Sequence, residues 1–140
     1  MRVRGLIQQI ATIREKTHSR MEQYLNDYGL AEIAPSHGSI LIALDRVDSL
    51  TMGELAQAVD RDKSTLTVLV NRLEQLGYVR RLPDSQDLRI TRIALTDRAR
   101  KARRKFTMVS QRMNREFFAG FEDAELNELR RLLTKLQSNL

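Results

Sequence analysis

Thr51-Met52-Gly53-Glu54-Leu55-Ala56-Gln57-Ala58-Val59-Asp60-Arg61-Asp62-Lys63-Ser64-Thr65-Leu66 is the stretch on which the fold turns. Thr51 and Glu54 have the spacing of a capping box, in which each side chain satisfies the other residue's free backbone amide at a helix start. A short helix follows, with Leu55, Ala56 and Val59 on its apolar side. Asp60-Arg61-Asp62 is a polar break, and Asp62 is placed to cap a second helix from Lys63 to Leu76. In that helix Leu66, Leu69, Val70, Leu73 and Leu76 recur at three- and four-residue steps, and Gly77 closes it. Two short helices joined by a tight polar turn are the helix-turn-helix plan.

Beyond Gly77 the pattern changes from helical to alternating. Tyr78-Val79-Arg80-Arg81-Leu82, a polar Pro83-Asp84-Ser85-Gln86-Asp87 and Arg89-Ile90-Thr91-Arg92-Ile93-Ala94-Leu95 read as strand, loop and strand. An arginine-rich hairpin directly after a helix-turn-helix is a wing, so residues 36–95 are expected to form a winged helix-turn-helix unit. Upstream, Val3, Leu6, Ile7, Ile10, Ile13, Met21, Tyr24, Leu25 and Tyr28 lie on one stripe of a long helix ended by Gly29. Pro35-Ser36 opens the next helix, with Ser36 as the expected N-cap. Downstream, Thr96-Asp97 caps a helix that begins with the basic run Arg98 to Lys105. A last helix from about Glu122 carries Leu126, Leu129, Leu132, Leu133 and Leu136 on one face. The expected class is mainly α with a small β-wing.

Charge follows the same map. The 140 residues carry 24 Lys and Arg against 18 Asp and Glu, a net +6, but the distribution is uneven. Between Arg61 and Lys105 there are 13 basic and 5 acidic residues, whereas the rest of the chain has 11 basic and 13 acidic. A basic region confined to the helix-turn-helix, the hairpin and the following helix is the footprint of a polyanion partner, because each neutralised phosphate releases condensed counterions. There is no Cys, which excludes disulfides, thiolate metal sites and cysteine nucleophiles. The only histidines, His18 and His37, lie far apart without metal-spaced neighbours, and the acids at Glu122, Asp123 and Glu125 read as helix-start charges. Catalysis, a cofactor and a metal are therefore not expected. No apolar run is long enough to span a bilayer and no signal peptide opens the sequence, so the chain reads as cytoplasmic.

On the Lys63–Leu76 helix, the positions outside the apolar stripe are Lys63, Ser64, Thr65, Thr67, Val68, Asn71, Arg72 and Gln75. Small hydroxyls allow close approach to base edges, a cation suits phosphate or guanine, and the Val68 methyls suit a thymine methyl. Ser64 and Thr65 equally suit local capping after Asp62, and Arg72 a surface ion pair. In the hairpin, Asp87 and Arg89 stand two residues apart, hence on one side of an extended segment, where the acid can aim the guanidinium into a narrow minor groove. Arg80, Arg81 and Arg92 lie on the same ribbon and are expected on phosphates.

The residues Lys63-Ser64-Thr65-Leu66-Thr67-Val68-Leu69-Val70-Asn71-Arg72-Leu73-Glu74, then Gly77-Tyr78-Val79-Arg80-Arg81, then Asp87-Leu88-Arg89 with Leu95-Thr96 after it, resemble the MarR family of transcriptional regulators. The helix order is similar along nearly the whole chain. The resemblance implies a homodimer whose terminal helices, residues 1–28 and 97–140, interlock. Two winged units would then address a pseudo-palindromic double-stranded site, with relief by a small, often phenolic, anion. In such a protein the effector lodges between the dimer helices and the winged unit, where Arg14, Tyr24 and His37 are candidate lining residues. Apolar stripes at both ends of the chain exceed what a small winged unit buries alone and fit that arrangement. A twofold dimer would set its reading helices about 34 Å apart, one duplex turn. Two other functions share these features. An architectural DNA protein would be equally basic but sequence-tolerant, and a winged-helix protein-interaction module would need an attached domain that these 140 residues do not carry.

Overall fold

The computed structural model describes residues 3–140. Its elements run α1 (Val3–Asp27), α2 (Pro35–Leu44), β1 (Leu50–Thr51), α3 (Met52–Val59), α4 (Lys63–Gln75), β2 (Val79–Pro83), β3 (Thr91–Leu95), α5 (Asp97–Phe117) and α6 (Asp123–Gln137). The chain forms two compact units, one ending at Val109 and one spanning Ser110–Leu140.

In the first unit, α2, α3 and α4 pack around side chains with almost no solvent access, among them Ile40, Leu44, Leu55, Leu66, Val70 and Leu73. Helix α4 buries Leu66, Val70 and Leu73 because three- and four-residue steps return them to one side. A three-stranded antiparallel sheet in the order β1-β3-β2 closes this core, with Ile93 of β3 fully buried and opposite both Leu50 and Arg81.

The boundaries of the helix-turn-helix are set chemically. Thr51 Oγ1 accepts the Glu54 N–H at 3.1 Å and Glu54 Oε1 accepts the Thr51 N–H at 3.0 Å, completing the expected capping box. Helix α3 stops at Asp60, whose left-handed backbone (φ 52°) reverses the chain; aspartate tolerates that region better than most residues. Asp62 then caps α4 through its carboxylate on the Thr65 N–H at 2.7 Å. At the far end Gly77, at φ 81°, donates to Glu74 O and Tyr78 N–H donates to Leu73 O, the two bonds of a Schellman ending.

Three local expectations are corrected. Pro35 takes the first helical position of α2, so the N-cap is Ala34 rather than Ser36. Ala34 has no side-chain acceptor for the first-turn amides, but its own N–H is received by Nδ1 of His37, three residues on, at 3.1 Å. Second, β3 starts at Thr91 rather than Arg89, because Asp84 to Ile90 forms a turn closed by Asp84 N–H to Ile90 O and Ile90 N–H to Asp87 O. Third, β1 was not anticipated: two residues are too few to show alternation, and Leu50 and Thr51 become a strand only because β3 lies beside them.

In the second unit, Gly120 at φ 85° separates α5 from α6. Glu122 N–H is held by Glu125 Oε2 at 2.9 Å, as expected of acids at a helix start. Helix α6 has no buried residue, and Leu132, Leu133 and Leu136 are exposed. In the first unit, α1 likewise exposes Val3, Leu6, Ile7, Ile10 and Ile13, each between 43% and 66%.

Candidate nucleic-acid interface

Lys63, Ser64, Thr65, Thr67, Val68, Asn71 and Arg72 are all exposed, as the outward face of α4 requires. Their hydrogen-bonding capacity is unequal. Ser64 Oγ donates to Asp62 Oδ1 at 2.7 Å, Thr65 Oγ1 to Asp62 Oδ2 at 3.1 Å and Thr67 Oγ1 to Lys63 O at 2.7 Å. Each hydroxyl proton is thus spent locally, and toward a base these oxygens are left as acceptors. The Asp62 carboxylate, gathering the backbone amide and both hydroxyls, is held down to a pKa of about 2. Lys63 and Arg72 make no ion pair among the described residues, and Val68 is 68% exposed, so one apolar and two cationic groups stand ready on this surface.

Asn71 and Arg81, offered by the sequence as separate contacts, touch one another. An Arg81 terminal nitrogen donates to Asn71 Oδ1, and Nε donates to Glu74 Oε1 at 3.3 Å, tying β2 to α4. Because side chains alternate along a strand, Arg80 leaves the other face of the ribbon. It is exposed beside an open depression also lined by Leu95, Thr96, Asp97 and Arg100.

At the wing tip Asp87 holds Arg89 as expected, though by a turn rather than by strand alternation. Asp87 Oδ1 accepts the Arg89 N–H at 3.0 Å and Nε at 3.1 Å, while Oδ2 accepts a terminal guanidinium hydrogen at 3.2 Å. These bonds lower the Asp87 pKa, first through the guanidinium and then the backbone amide. The Arg89 side chain is nevertheless 91% exposed, a pre-aimed cation on a projecting loop. Arg92, expected on a phosphate, is used inside the protein: it bonds Ser49 Oγ at 2.8 Å, Ser49 O at 3.3 Å and Asp84 Oδ1 at 3.0 Å. Sequence reasoning missed Asp84 and Ser49, although Pro83-Asp84-Ser85 is a turn signal that could have flagged the first.

A second cluster that the sequence did not reveal fixes the end of α4. Arg98 donates to Leu76 O, the first carbonyl past the helix, and lies over the Tyr78 ring at 4.7 Å from its centroid. Glu32 Oε1 receives both Arg98, at 2.7 Å, and the Tyr78 hydroxyl, at 3.1 Å. Thr96 Oγ1 donates to Gly77 O at 2.5 Å. A helix C-terminus is electronegative, and a guanidinium there satisfies both its carbonyl and its dipole.

The candidate effector residues differ in exposure. His37, in the first turn of α2, is buried, and burial and then the charge of Arg72 lower its pKa. Tyr24 is buried and Arg14 exposed on the same helix, ten residues or about 15 Å apart. One copy of the chain does not bring Arg14 and Tyr24 into one small pocket. No cluster of three or more potential metal-ligating side chains occurs among the described residues, and none of their helices is long and apolar enough to cross a membrane.

Comparison with known proteins agrees with this arrangement. A family model described as MarR family matches residues 32–90, which contain α2, α3, α4 and the wing turn. The chain is 31% identical over 114 residues to the HTH-type transcriptional regulator SarZ of Staphylococcus epidermidis, covering 80% of this chain and 75% of that protein. Among solved structures, a mutant of Escherichia coli MarR complexed with operator DNA superposes with a TM-score of 0.83 at 24% identity, over 96% of this chain and 95% of that one. Bordetella bronchiseptica BpsR, whose DNA binding is regulated by 6-hydroxynicotinic acid, gives 0.82 at 18% identity over 93% and 91%. With the capped reading helix, the wing and this kinship taken together, the chain belongs to the MarR family of winged helix-turn-helix transcriptional regulators.

Proposed function

We propose that the protein is a cytoplasmic repressor that binds a pseudo-palindromic operator as a homodimer and leaves it when a small anionic or phenolic effector binds. The observation that carries the reading is the pairing of an exposed face on α4 with an exposed, carboxylate-aimed Arg89 on the wing. In this reading Lys63, Val68 and Arg72 approach the major groove, with the Ser64, Thr65 and Thr67 oxygens as acceptors for base amino groups. Arg89 enters the flanking minor groove, and Arg80 meets backbone phosphate. Asn71 and Arg81 set the angle between helix and wing. Dimerisation through residues 1–28 and 97–140 is supported by the apolar side chains that α1 and α6 leave exposed. The operator complex of the MarR relative supports a duplex partner, and the regulated BpsR relative supports an effector.

The test is selection of genomic fragments by the purified protein, followed by titration of a recovered fragment against scrambled duplex. A sequence-specific regulator binds its site about 10³-fold or more tighter than random DNA, and the site reads as an inverted repeat. A ratio near unity would identify a sequence-tolerant architectural protein instead.

A further inference from the structure

We propose that Arg92 is a positioning residue for DNA binding: it makes no contact with DNA but fixes the wing tip, through Asp84 and Asp87, so that Arg89 meets the minor groove. This rests on the reading of Arg89 as the wing contact and extends it to the base of the wing.

A two-stranded ribbon ending in a seven-residue turn is a poor platform, because backbone outside a ladder has little to resist bending. Arg92 supplies the resistance. It sits where the sheet is three strands wide, opposite Thr51 of β1 and Leu82 of β2. One side of its guanidinium grips the segment entering β1, with Nε on Ser49 Oγ at 2.8 Å and a terminal nitrogen on Ser49 O at 3.3 Å. That same terminal nitrogen is 3.8 Å from Glu54 Oε1, in the capping box of α3. The other terminal nitrogen donates to Asp84 Oδ1 at 3.0 Å.

Asp84 carries the constraint outward. Its second oxygen, Oδ2, accepts the N–H groups of Gln86 and Asp87, each at 3.1 Å, which fixes the turn from inside. Asp87 in turn holds the backbone and guanidinium of Arg89. An unbroken series of charge-assisted bonds thus runs from Ser49, at the entry to β1, to the reading cation. Half-buried and hydrogen-bonded inside the protein through each of its three nitrogens, Arg92 is committed to the wing, whereas Arg89 has nearly its whole side chain in solvent.

The experiment is a double-mutant cycle on operator affinity, taken well below each variant's melting temperature. Arg89→Ala lowers affinity about 5- to 150-fold. Arg92→Ala alone lowers it at least about fivefold, yet in the Arg89→Ala background it changes affinity by less than about twofold and leaves the salt slope unaltered. A further loss in that background, with the slope falling by about 1, would make Arg92 a direct phosphate contact and overturn the proposal. Asp84→Asn provides a variant of unchanged size. Removing a negative charge near DNA favours binding on electrostatics alone, so weaker binding supports the relay, and unchanged or tighter binding overturns it. If Arg89→Ala itself has no effect, the reading of Arg89 as the wing contact fails and the relay fails with it; a normal effect of Arg89→Ala with additive Arg92→Ala fails the relay only.

Discussion

Arg81 on β2 donates a terminal guanidinium hydrogen to Asn71 Oδ1 on α4, so two groups that could each have faced DNA face one another. The same guanidinium reaches Glu74 one turn further along the helix. The relation ties α4 to the wing, and in the proposed function the angle between them governs simultaneous entry into major and minor groove. An ion pair this exposed contributes under about 1 kcal/mol to folding. Arg81→Ala is therefore expected to leave the denaturation midpoint nearly unchanged while weakening operator binding by about 1 to 2 kcal/mol. Equal losses in stability and affinity, measured by denaturant titration and fluorescence anisotropy, would contradict it.

Arg89→Ala tests the wing itself. The side chain is almost fully exposed and its removal costs the fold nothing but a surface pair with Asp87. Loss of about 1 to 3 kcal/mol of operator affinity is expected at an unchanged melting temperature. Arg89→Lys does not restore it, since a single ammonium cannot reproduce the bidentate grip of Asp87. Full retention of affinity in a salt-matched titration would remove the wing from the interface.

Asp62 governs the start of the reading helix. Its pKa of about 2, against an ordinary value near 4, arises from bonds from the Thr65 amide and the Ser64 and Thr65 hydroxyls. A carboxylate whose folded pKa is depressed stabilises the fold fully above its unfolded value and loses that contribution as pH falls through the folded one, here between about pH 4 and 2. Asp62→Ala should lower stability near neutrality and remove part of the acid sensitivity in that window. A variant with wild-type stability at pH 7 in urea would show that the cap contributes nothing.

Most of the fold was legible because its determinants are local. The stripe Leu66, Val70 and Leu73, the Thr51–Glu54 box and Gly77 are each read within one or two helical turns. What stayed hidden depends on residues distant in sequence. Arg92 looked like another wing cation until Ser49, 43 positions earlier, was found against it. Arg98 and Glu32, 66 positions apart, meet only once the end of α4 is folded between them. The Ala34 cap was missed for a different reason: an imidazole at the third helical position receives the Ala34 N–H, the part a Glu or Gln plays in an ordinary capping box. The exposed face of α4 was correctly outlined, but which hydroxyl protons are already spent is a matter of rotamer, and periodicity carries no information about it.

That imidazole makes folding pH-sensitive near neutrality. His37 is buried, its Nδ1 accepts the Ala34 amide, and burial followed by the Arg72 charge depresses its pKa. A group with a lowered folded pKa leaves the unfolded chain binding more protons, so stability is complete above the unfolded value near 6.5 and declines as pH falls below it. Wild-type protein should therefore lose melting temperature as pH falls below about 6.5, and His37→Gln should flatten the slope. Parallel curves for the two proteins would show that His37 titrates as it does in the unfolded chain.

The exposed apolar side chains of α1 and α6 give the last expectation. Leu132, Leu133 and Leu136 stand 42% to 51% exposed on a helix with no buried residue, a costly arrangement for a lone chain in water. A second copy that covers them removes that cost. Leu132→Asp with Leu136→Asp is expected to raise the dimer dissociation constant at least about 30-fold, the scale of losing a central contact of about 2 kcal/mol or more. Truncation before residue 122 should leave a monomer or an aggregate. Because operator affinity of a dimer depends on both half-sites, the charged pair should also weaken DNA binding while a single half-site duplex is bound as before. Sedimentation equilibrium showing an intact dimer for both variants would place the subunit contact elsewhere on the chain.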